Sequence, residues 1–186
     1  MSTETGSAGM AADADIVRGA KTNEGAAVKN FYKVECIGPD GKLKWVENFG
    51  NLVVDEGLDL LLTNNFKASG YTAAWYVGLT NTNPSTDPTD TLASKAWTEI
   101  TDYDEATREA LVLGAVASES VDNSASKASF AINASVTVGG AFVCSVSTKG
   151  DTGAGLYSVG AFAGGDKVLG IGDTLNVQVT LTTSAA

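Results

Sequence analysis

The sequence contains no histidine. Imidazole is the usual general base, proton shuttle and zinc ligand near neutral pH, so serine-histidine triads and histidine-ligated metal sites are excluded. Basic residues are also scarce, with 12 Lys and Arg against 22 Asp and Glu and a net charge of −10. Nucleic acids and anionic lipids attract proteins through cationic surfaces. We therefore expect partners that are neither nucleic acid nor membrane.

Long apolar runs are missing as well. No stretch approaches the roughly 18 apolar residues that a membrane-spanning helix needs. Residues 1–12 include Glu4 and no basic residue, so they do not resemble a secretion signal. The sequence predicts a protein that is made in a cytoplasm and remains soluble.

Cysteine is limited to Cys36 and Cys144. Neither belongs to a CxxC pair or to another metal-binding spacing. Both fall in apolar patterns typical of strands, which favours two buried thiols. A disulfide is the alternative, and it would require the two Cα atoms to lie within about 7 Å.

What the sequence does contain is typical of one folded domain. It has 186 residues, of which 44% are hydrophobic and 18% charged, with 21 Gly and only 3 Pro. The apolar residues form short clusters separated by Gly, Asn, Ser, Thr and Asp. This pattern favours many short strands over long helices, so we predict an all-β fold.

The first 28 residues differ from the rest. They are small and polar and include no aromatic residue, so they cannot bury enough surface to fold alone. Fully extended, such a segment would span about 90 Å. We predict an extended N-terminal arm at residues 1–28 and a β-sandwich domain at residues 29–186. Removing the arm is expected to leave the domain folded and to weaken assembly with a partner.

A β-hairpin is predicted directly after the arm. Two alternating runs, residues 31–37 and 42–49, flank the sequence Pro39-Asp40-Gly41. Proline presets φ and glycine tolerates positive φ, so these residues are typical of a tight turn.

One sizeable helix is predicted from residue 55 onwards. Leu58, Leu61, Leu62 and Phe66 recur at helical spacing and should share one face, after Asp55, which can act as a cap. We expect this face to cover the open end of the sandwich. A partner-binding face is the alternative interpretation.

The remaining chain reads as strands and one long loop. Residues 74–80 predict a buried strand, and residues 81–95 predict an exposed or functional loop with one helical turn near residues 90–94. The total of about eight strands fits an antiparallel, jelly-roll-like β-sandwich. The last strand should have one core face and one polar face. Five further strands are predicted at residues 108–121, 127–134, 136–147, 155–162 and 174–182.

The densest group of ionisable side chains lies at residues 99–109. Such a group can provide acid–base catalysis or bind calcium, but it lacks the glycine and the distal ligand of an EF-hand. We interpret it as a solvated loop that contains an ion pair of Arg108. The group consists of Glu99, Asp102, Asp104, Glu105, Arg108 and Glu109.

No other motif predicts chemistry. Trp45, Trp75 and Trp97 could form a sugar-stacking platform, but aromatic residues in strand patterns are more often part of a core. The glycines of residues 153–160 lack the spacing and the lysine of a phosphate-binding loop. We therefore predict no catalytic, cofactor-binding or metal-binding residues and a protein that is not an enzyme.

Several short blocks stand in a recognisable order between about residues 48 and 182. Together they resemble a widespread group of small virion-associated proteins of tailed bacteriophages. The blocks are NLVV at 51–54 continuing to Leu62, WYVGL at 75–79, WTE at 97–99, Tyr103, EATR at 105–108, NSAS at 123–126, Phe130, INA at 132–134, GAF at 140–142 and GDTL at 172–175.

The resemblance implies a non-enzymatic β-domain in the virion. The expected role is a decoration or cement protein on the exterior of the head, assembled in the bacterial cytoplasm. Its partners would be the major capsid protein and copies of itself, as a dimer or a trimer. A tail or fibre component, acting as an adaptor or a receptor-binding domain, is the alternative.

Overall fold

Strands make up most of the regular structure. The computed structural model describes residues 27–67 and 74–184, and this part of the chain is all-β and sandwich-like, with antiparallel sheets and one α-helix, as predicted. Several strands have only two or three residues, so they outnumber the eight expected. The elements are β1 Ala27–Ile37, β2 Leu43–Gly50, β3 Leu52–Val53, α1 Asp55–Leu62, β4 Tyr76–Thr80, β5 Glu99–Ile100, β6 Glu109–Ala110, β7 Ser120–Asp122, β8 Ala128–Ala131, β9 Val136–Val138, β10 Gly140–Cys144, β11 Leu156–Ala161, β12 Lys167–Leu169 and β13 Thr174–Ser184.

The first sheet has β1 and β13 at its centre. β1 and β13 pair with each other. β2 pairs with the free edge of β1, and both β7 and β8 pair with the free edge of β13. The predicted hairpin is confirmed, and Gly41 adopts a φ of 76° in its turn. Leu175, Val177 and Val179 are buried while the residues between them are half-buried, which confirms the alternation predicted for the last strand.

The second sheet has the strand order β3-β11-β10-β4-β5, and β6 also pairs with β4. A separate two-stranded ladder joins β9 to β12. Apolar side chains from the facing sides of the two large sheets form the main core. From the first sheet these include Tyr32, Val34, Cys36, Leu175 and Val177, and from the second sheet Val77, Leu79, Ala141, Val143 and Tyr157.

The second sheet is buried on its outer face too. Phe142 and Leu156 point away from the main core and form a second cluster with Leu92 and Trp97. The chain from residue 81 to residue 98 therefore covers this face. The helical turn predicted near residues 90–94 is wrong, because the backbones of Thr91 and Ser94 bond to each other in a tight turn.

A β-bulge in β11 seats the helix. The register between β10 and β11 shifts at Tyr157, so Tyr157 and Ser158 both face the first sheet. The carbonyl group of Tyr157 accepts a hydrogen bond from the backbone N–H of Val54 at 3.2 Å, directly before α1. Gly57 packs its backbone against the same carbonyl, where a side chain would overlap it.

The helix differs from its prediction in two respects. Val54 precedes its first residue and no side chain caps it, so the predicted capping role of Asp55 is wrong. Only Leu61 of the four predicted face residues packs against the core, whereas the side chains of Leu58, Leu62 and Phe66 are exposed. The close contact at Gly57 selects the side that faces the sheet. α1 continues as a π-helical turn at Thr63–Lys67.

Other differences concern strand boundaries. The single strand predicted at residues 108–121 is two short strands, β6 and β7, and Ser118 and Glu119 between them have positive φ. β3, β5 and β12 were not predicted, since two or three residues are too few to show alternation. β1 begins at Ala27, inside the segment predicted as an arm, and the rest of that segment lies outside the described residues.

The contact between Gly57 of α1 and Tyr157 of β11 gives a test of the fold. Replacing Gly57 with Ala adds a methyl group that would overlap the Tyr157 carbonyl, so we expect a loss of about 1–3 kcal/mol in the free energy of unfolding. Elsewhere in helices this substitution is favourable. Gly50→Ala is the matched control, because a methyl group at Gly50 would meet no other atom within 4 Å. Urea unfolding of both variants measures the difference. Equal stabilities would contradict close packing of Gly57 against the Tyr157 carbonyl.

Candidate interaction surface

The ionisable group at residues 99–109 is solvated only in part, because Asp102 and Asp104 are exposed whereas the ion pair of Arg108 is buried. Arg108 is 1% exposed and Glu99 8%, and the guanidinium donates two hydrogen bonds to the carboxylate, both at 2.7 Å. Arg108 also donates to the carbonyl groups of Val146 at 3.2 Å and Asp151 at 3.0 Å. The predicted ion pair is present, but it is not solvated as expected, because distant carbonyls complete the coordination of the guanidinium in the interior.

Other acids of this group also bond to the fold. The Glu105 carboxylate accepts the backbone N–H of Ala131, and Asp104 accepts the side-chain amide of Asn133. Burial raises the pKa of Glu109. Within residues 27–67 and 74–184, no three His, Cys, Asp or Glu side chains are grouped so that they could hold a metal ion. The arrangement therefore acts as a cross-link between β5, β8 and the loop after β10.

The two cysteines are separate buried thiols. Cys36 lies in the main core and Cys144 in the outer cluster, and both are free. Burial raises the pKa of Cys36 to about 11 and also raises the pKa of Cys144. Both thiols are therefore protonated at neutral pH, and the prediction of two buried thiols is confirmed.

The three tryptophans do not line one platform. Trp97 packs on Phe142 in the outer cluster, with ring centroids 5.0 Å apart. Trp75 packs on Tyr157, and Trp45 packs on Phe162. Each ring therefore contributes to packing in a different place, which confirms the core interpretation.

An apolar opening lies between the sheets at the end where β1 begins. It encloses a cavity of about 250 Å³, and a smaller cavity of about 70 Å³ continues inward beneath Trp75 and Leu111. Glu119 and Thr182 lie at its polar rim. We call this opening the apolar mouth and define it by Val28, Leu61, Val116, Val121, Tyr157 and Leu181.

The mouth exists because the sheets end at different points. β1 and β13 remain paired out to Ala27 and Ser184, beyond the part of the first sheet that the second sheet covers. Leu181 is therefore only half-buried, and Val116 is 75% exposed. Residues 1–26 precede the strand that forms one wall of this opening.

A second apolar surface lies on the outer side of α1. Leu58, Leu62 and Phe66 follow one another at intervals of four residues and are 41%, 58% and 84% exposed. Asp59 and Lys67 lie beside them around a shallow cleft. We call these three apolar side chains the outer stripe. Leu61 adjoins the stripe in the chain and lines the mouth, so the two surfaces neighbour each other.

Most described Lys and Arg side chains bind acidic side chains or backbone carbonyl groups of the same chain. Lys95 and Lys149 donate to backbone carbonyls of Leu92 and Tyr103. In the described part of the chain, only Lys29 and Lys67 make no such contact with another described residue. The outward field is therefore acidic. Six basic side chains form ion pairs with the chain's own acids, namely Lys33, Lys42, Lys44, Arg108, Lys127 and Lys167.

Comparisons with known families, proteins and structures identified no relative of this chain. No protein-family model, curated protein or solved structure matches the chain. Among the described residues, none of the helical structure is long and apolar enough to cross a membrane.

The mouth was not predicted, since its residues come from distant parts of the chain. The stripe was visible as helical spacing, but spacing does not tell which side faces out.

The buried ion pair predicts a large effect of a small change. Glu99→Gln keeps the shape of the side chain but leaves the Arg108 charge uncompensated, so we expect a loss of about 3 kcal/mol in the free energy of unfolding. Lys42→Gln removes one partner of the exposed Lys42–Asp40 pair and should change stability little. Chemical denaturation compares the two variants. A similar small effect of both would show that Arg108 finds other compensation.

Two paired carboxylates predict acid sensitivity. Burial raises the pKa of Asp173, but Lys44 at 2.7 Å and the N–H of Gly170 outweigh it and hold the pKa below its ordinary value. Lys127 and Lys33 lower the pKa of Glu35. The folded state thus binds protons less readily than the unfolded state. This stabilisation is complete above about pH 5 and is lost as the pH falls through the folded-state pKa values.

We therefore expect the melting temperature to decrease as the pH falls below about 5. The Asp173→Asn variant should show a smaller decrease. Asp102→Asn, at an exposed position, is the control variant. Thermal unfolding from neutral to acidic pH measures both. An unchanged profile in Asp173→Asn would contradict the role of the Lys44 pair.

Proposed function

We propose that this protein is a structural component of a bacteriophage virion that decorates the outer surface of the head. It binds the major capsid protein and further copies of itself, and it stabilises the shell. The observation that carries the proposal is the apolar mouth beside the start of β1, an opening that a segment of a neighbouring protein can fill. The resemblance of the ordered sequence blocks to virion-associated proteins of tailed bacteriophages supports the same role.

The mouth suits binding to a repeated lattice. A cavity of about 250 Å³ accommodates a few apolar side chains, which gives a contact of modest strength. On a lattice each molecule makes several such contacts at once, so avidity multiplies them. β1 begins beside this opening, and a chain segment that orders on a neighbouring protein can connect subunits.

The charge distribution supports an exterior position. The chain carries a net charge of −10, and most of the described cations are bound to the chain's own acids or carbonyls. A surface that faces packaged DNA would have to approach a dense array of phosphates, and an acidic surface is repelled there. The outside of the shell imposes no such constraint.

The location is tested on purified virions of the phage that encodes the chain. Immunogold electron microscopy with an antibody against residues 27–184 should label the heads evenly. Label at the tail tip or the fibres would instead establish the adaptor or receptor-binding alternative. If blots of the lysate detect the protein but intact, purified particles carry no label, a virion role would be overturned.

The mouth is tested by adding the purified protein to shells that lack it. Val116→Glu places a charge in the opening, and we expect at least tenfold weaker binding and a loss of the added heat resistance of the shells. Val168→Glu is the matched control, since Val168 is 74% exposed and does not line the mouth, whereas Val116 is 75% exposed. Equal binding of the two variants would remove the mouth from the contact.

A variant that lacks residues 1–25 tests the preceding segment in the same assay. It retains β1, and circular dichroism should show a folded domain. We expect weaker binding to shells if this segment takes part in the contact, because the variant can no longer supply it. Binding equal to that of the full chain would contradict a role of this segment in assembly.

A further inference from the structure

The outer stripe is an ordered line of apolar side chains. Leu58, Leu62 and Phe66 repeat every four residues, which places them one above another on one side of α1 and its π-helical extension. Single exposed apolar residues are common on protein surfaces, but a continuous line of three marks an interaction site. The opposite side of the helix is already occupied by the contact of Gly57 with Tyr157.

The stripe is complementary to itself. If two copies meet with their helices antiparallel and Leu62 near the twofold axis, Leu62 faces Leu62 and Phe66 faces Leu58 of the other copy. The stripe has a wide and a narrow end, so this arrangement sets a large side chain against a smaller one at both ends.

The charges beside the stripe suit the same arrangement. Asp59 lies near its start and Lys67 at its end, and Lys67 has no ion-pair partner among the described residues. Antiparallel pairing brings Lys67 of each copy towards Asp59 of the other. It also sets the two helix dipoles in opposite directions, which is favourable. A parallel pairing does not bring Asp59 and Lys67 together, because the two side chains then lie at different heights along the paired helices.

We propose that the protein forms a twofold-symmetric dimer through the outer stripe, with α1 of one copy packed antiparallel against α1 of a second copy. The stripe is smaller than the roughly 800 Å² per partner of a typical stable interface, so the dimer dissociates on dilution. This pairing does not rest on the proposed position on the head. Failure of the shell-binding assay leaves the dimer intact, whereas failure of the dimer would remove this self-association from the proposed function and leave the contact with the shell untouched.

Sedimentation velocity over a wide range of concentrations tests the dimer. We expect the full chain to shift from monomer towards dimer as concentration rises, and Leu62→Glu to weaken association at least tenfold. Leu43→Glu is the matched control, since Leu43 is 57% exposed, close to the 58% of Leu62, and lies at the far end of the β1–β2 hairpin. A full chain that stays monomeric, or equal association of both variants, overturns the proposal.

Charge reversal identifies the second copy as the occupant. Asp59→Lys and Lys67→Asp should each weaken association several-fold, because like charges then meet across the axis. The double variant should restore it, because the pair is re-formed with opposite signs. Failure of the double variant to recover any association would overturn antiparallel pairing.

A cross-link tests the position of the axis. Leu62→Cys should form a disulfide-linked dimer under mild oxidation, whereas Leu43→Cys should not, and the native Cys36 and Cys144 are buried and do not interfere. Circular dichroism and the melting temperature confirm that each variant is folded. If the stripe instead packs against residues of its own chain, Leu62→Cys gives no dimer and the proposal is wrong.

Discussion

The contact between Gly57 and the carbonyl group of Tyr157 determines how the surfaces of this protein are arranged. The bulge in β11 turns Tyr157 towards the first sheet and leaves its carbonyl group to accept the N–H of Val54. Because no side chain separates the helix from that carbonyl, α1 lies directly on the sheet and its rotation is fixed. The same rotation gives Leu61 to the mouth and leaves the outer stripe in solvent. The position of the stripe, and the part of the mouth that Leu61 forms, thus follow from one irregular residue in one strand.

The covering of the second sheet restricts where partners can bind. Its inner face packs on the first sheet, and its outer face packs on Leu92 and Trp97 of the long loop. The mouth and the stripe adjoin at one end of the sandwich, and other exposed apolar side chains, such as Phe31, Val168 and Ile171, lie apart from them. The internal use of most described cations leaves the rest of the surface acidic.

The sequence predicts those features that depend on local patterns. Alternation identified β13, and Pro39-Asp40-Gly41 identified the hairpin, because turn chemistry and period-two patterning act over few residues. Helical spacing showed which side chains share a side of α1, but the rotation of the helix depends on the distant Tyr157. Burial of Arg108 likewise depends on carbonyl groups of Val146 and Asp151, far along the chain. Sequence patterns carry no information on such contacts, so a buried cross-link was interpreted as a solvated loop and the mouth was not predicted.

The pairing of β1 with β13 has a consequence for synthesis. The centre of the first sheet joins the first and the last of the described strands, with Val34 opposite Val177. During translation the β1–β2 hairpin leaves the ribosome long before β13 is made, and its apolar side has no sheet partner in the meantime. Closure over such a chain separation is slow, because the loop entropy must be overcome before the contacts form. The nascent chain therefore completes its core only after β13 has been made, and until then it is the form of this protein most exposed to aggregation and to chaperones.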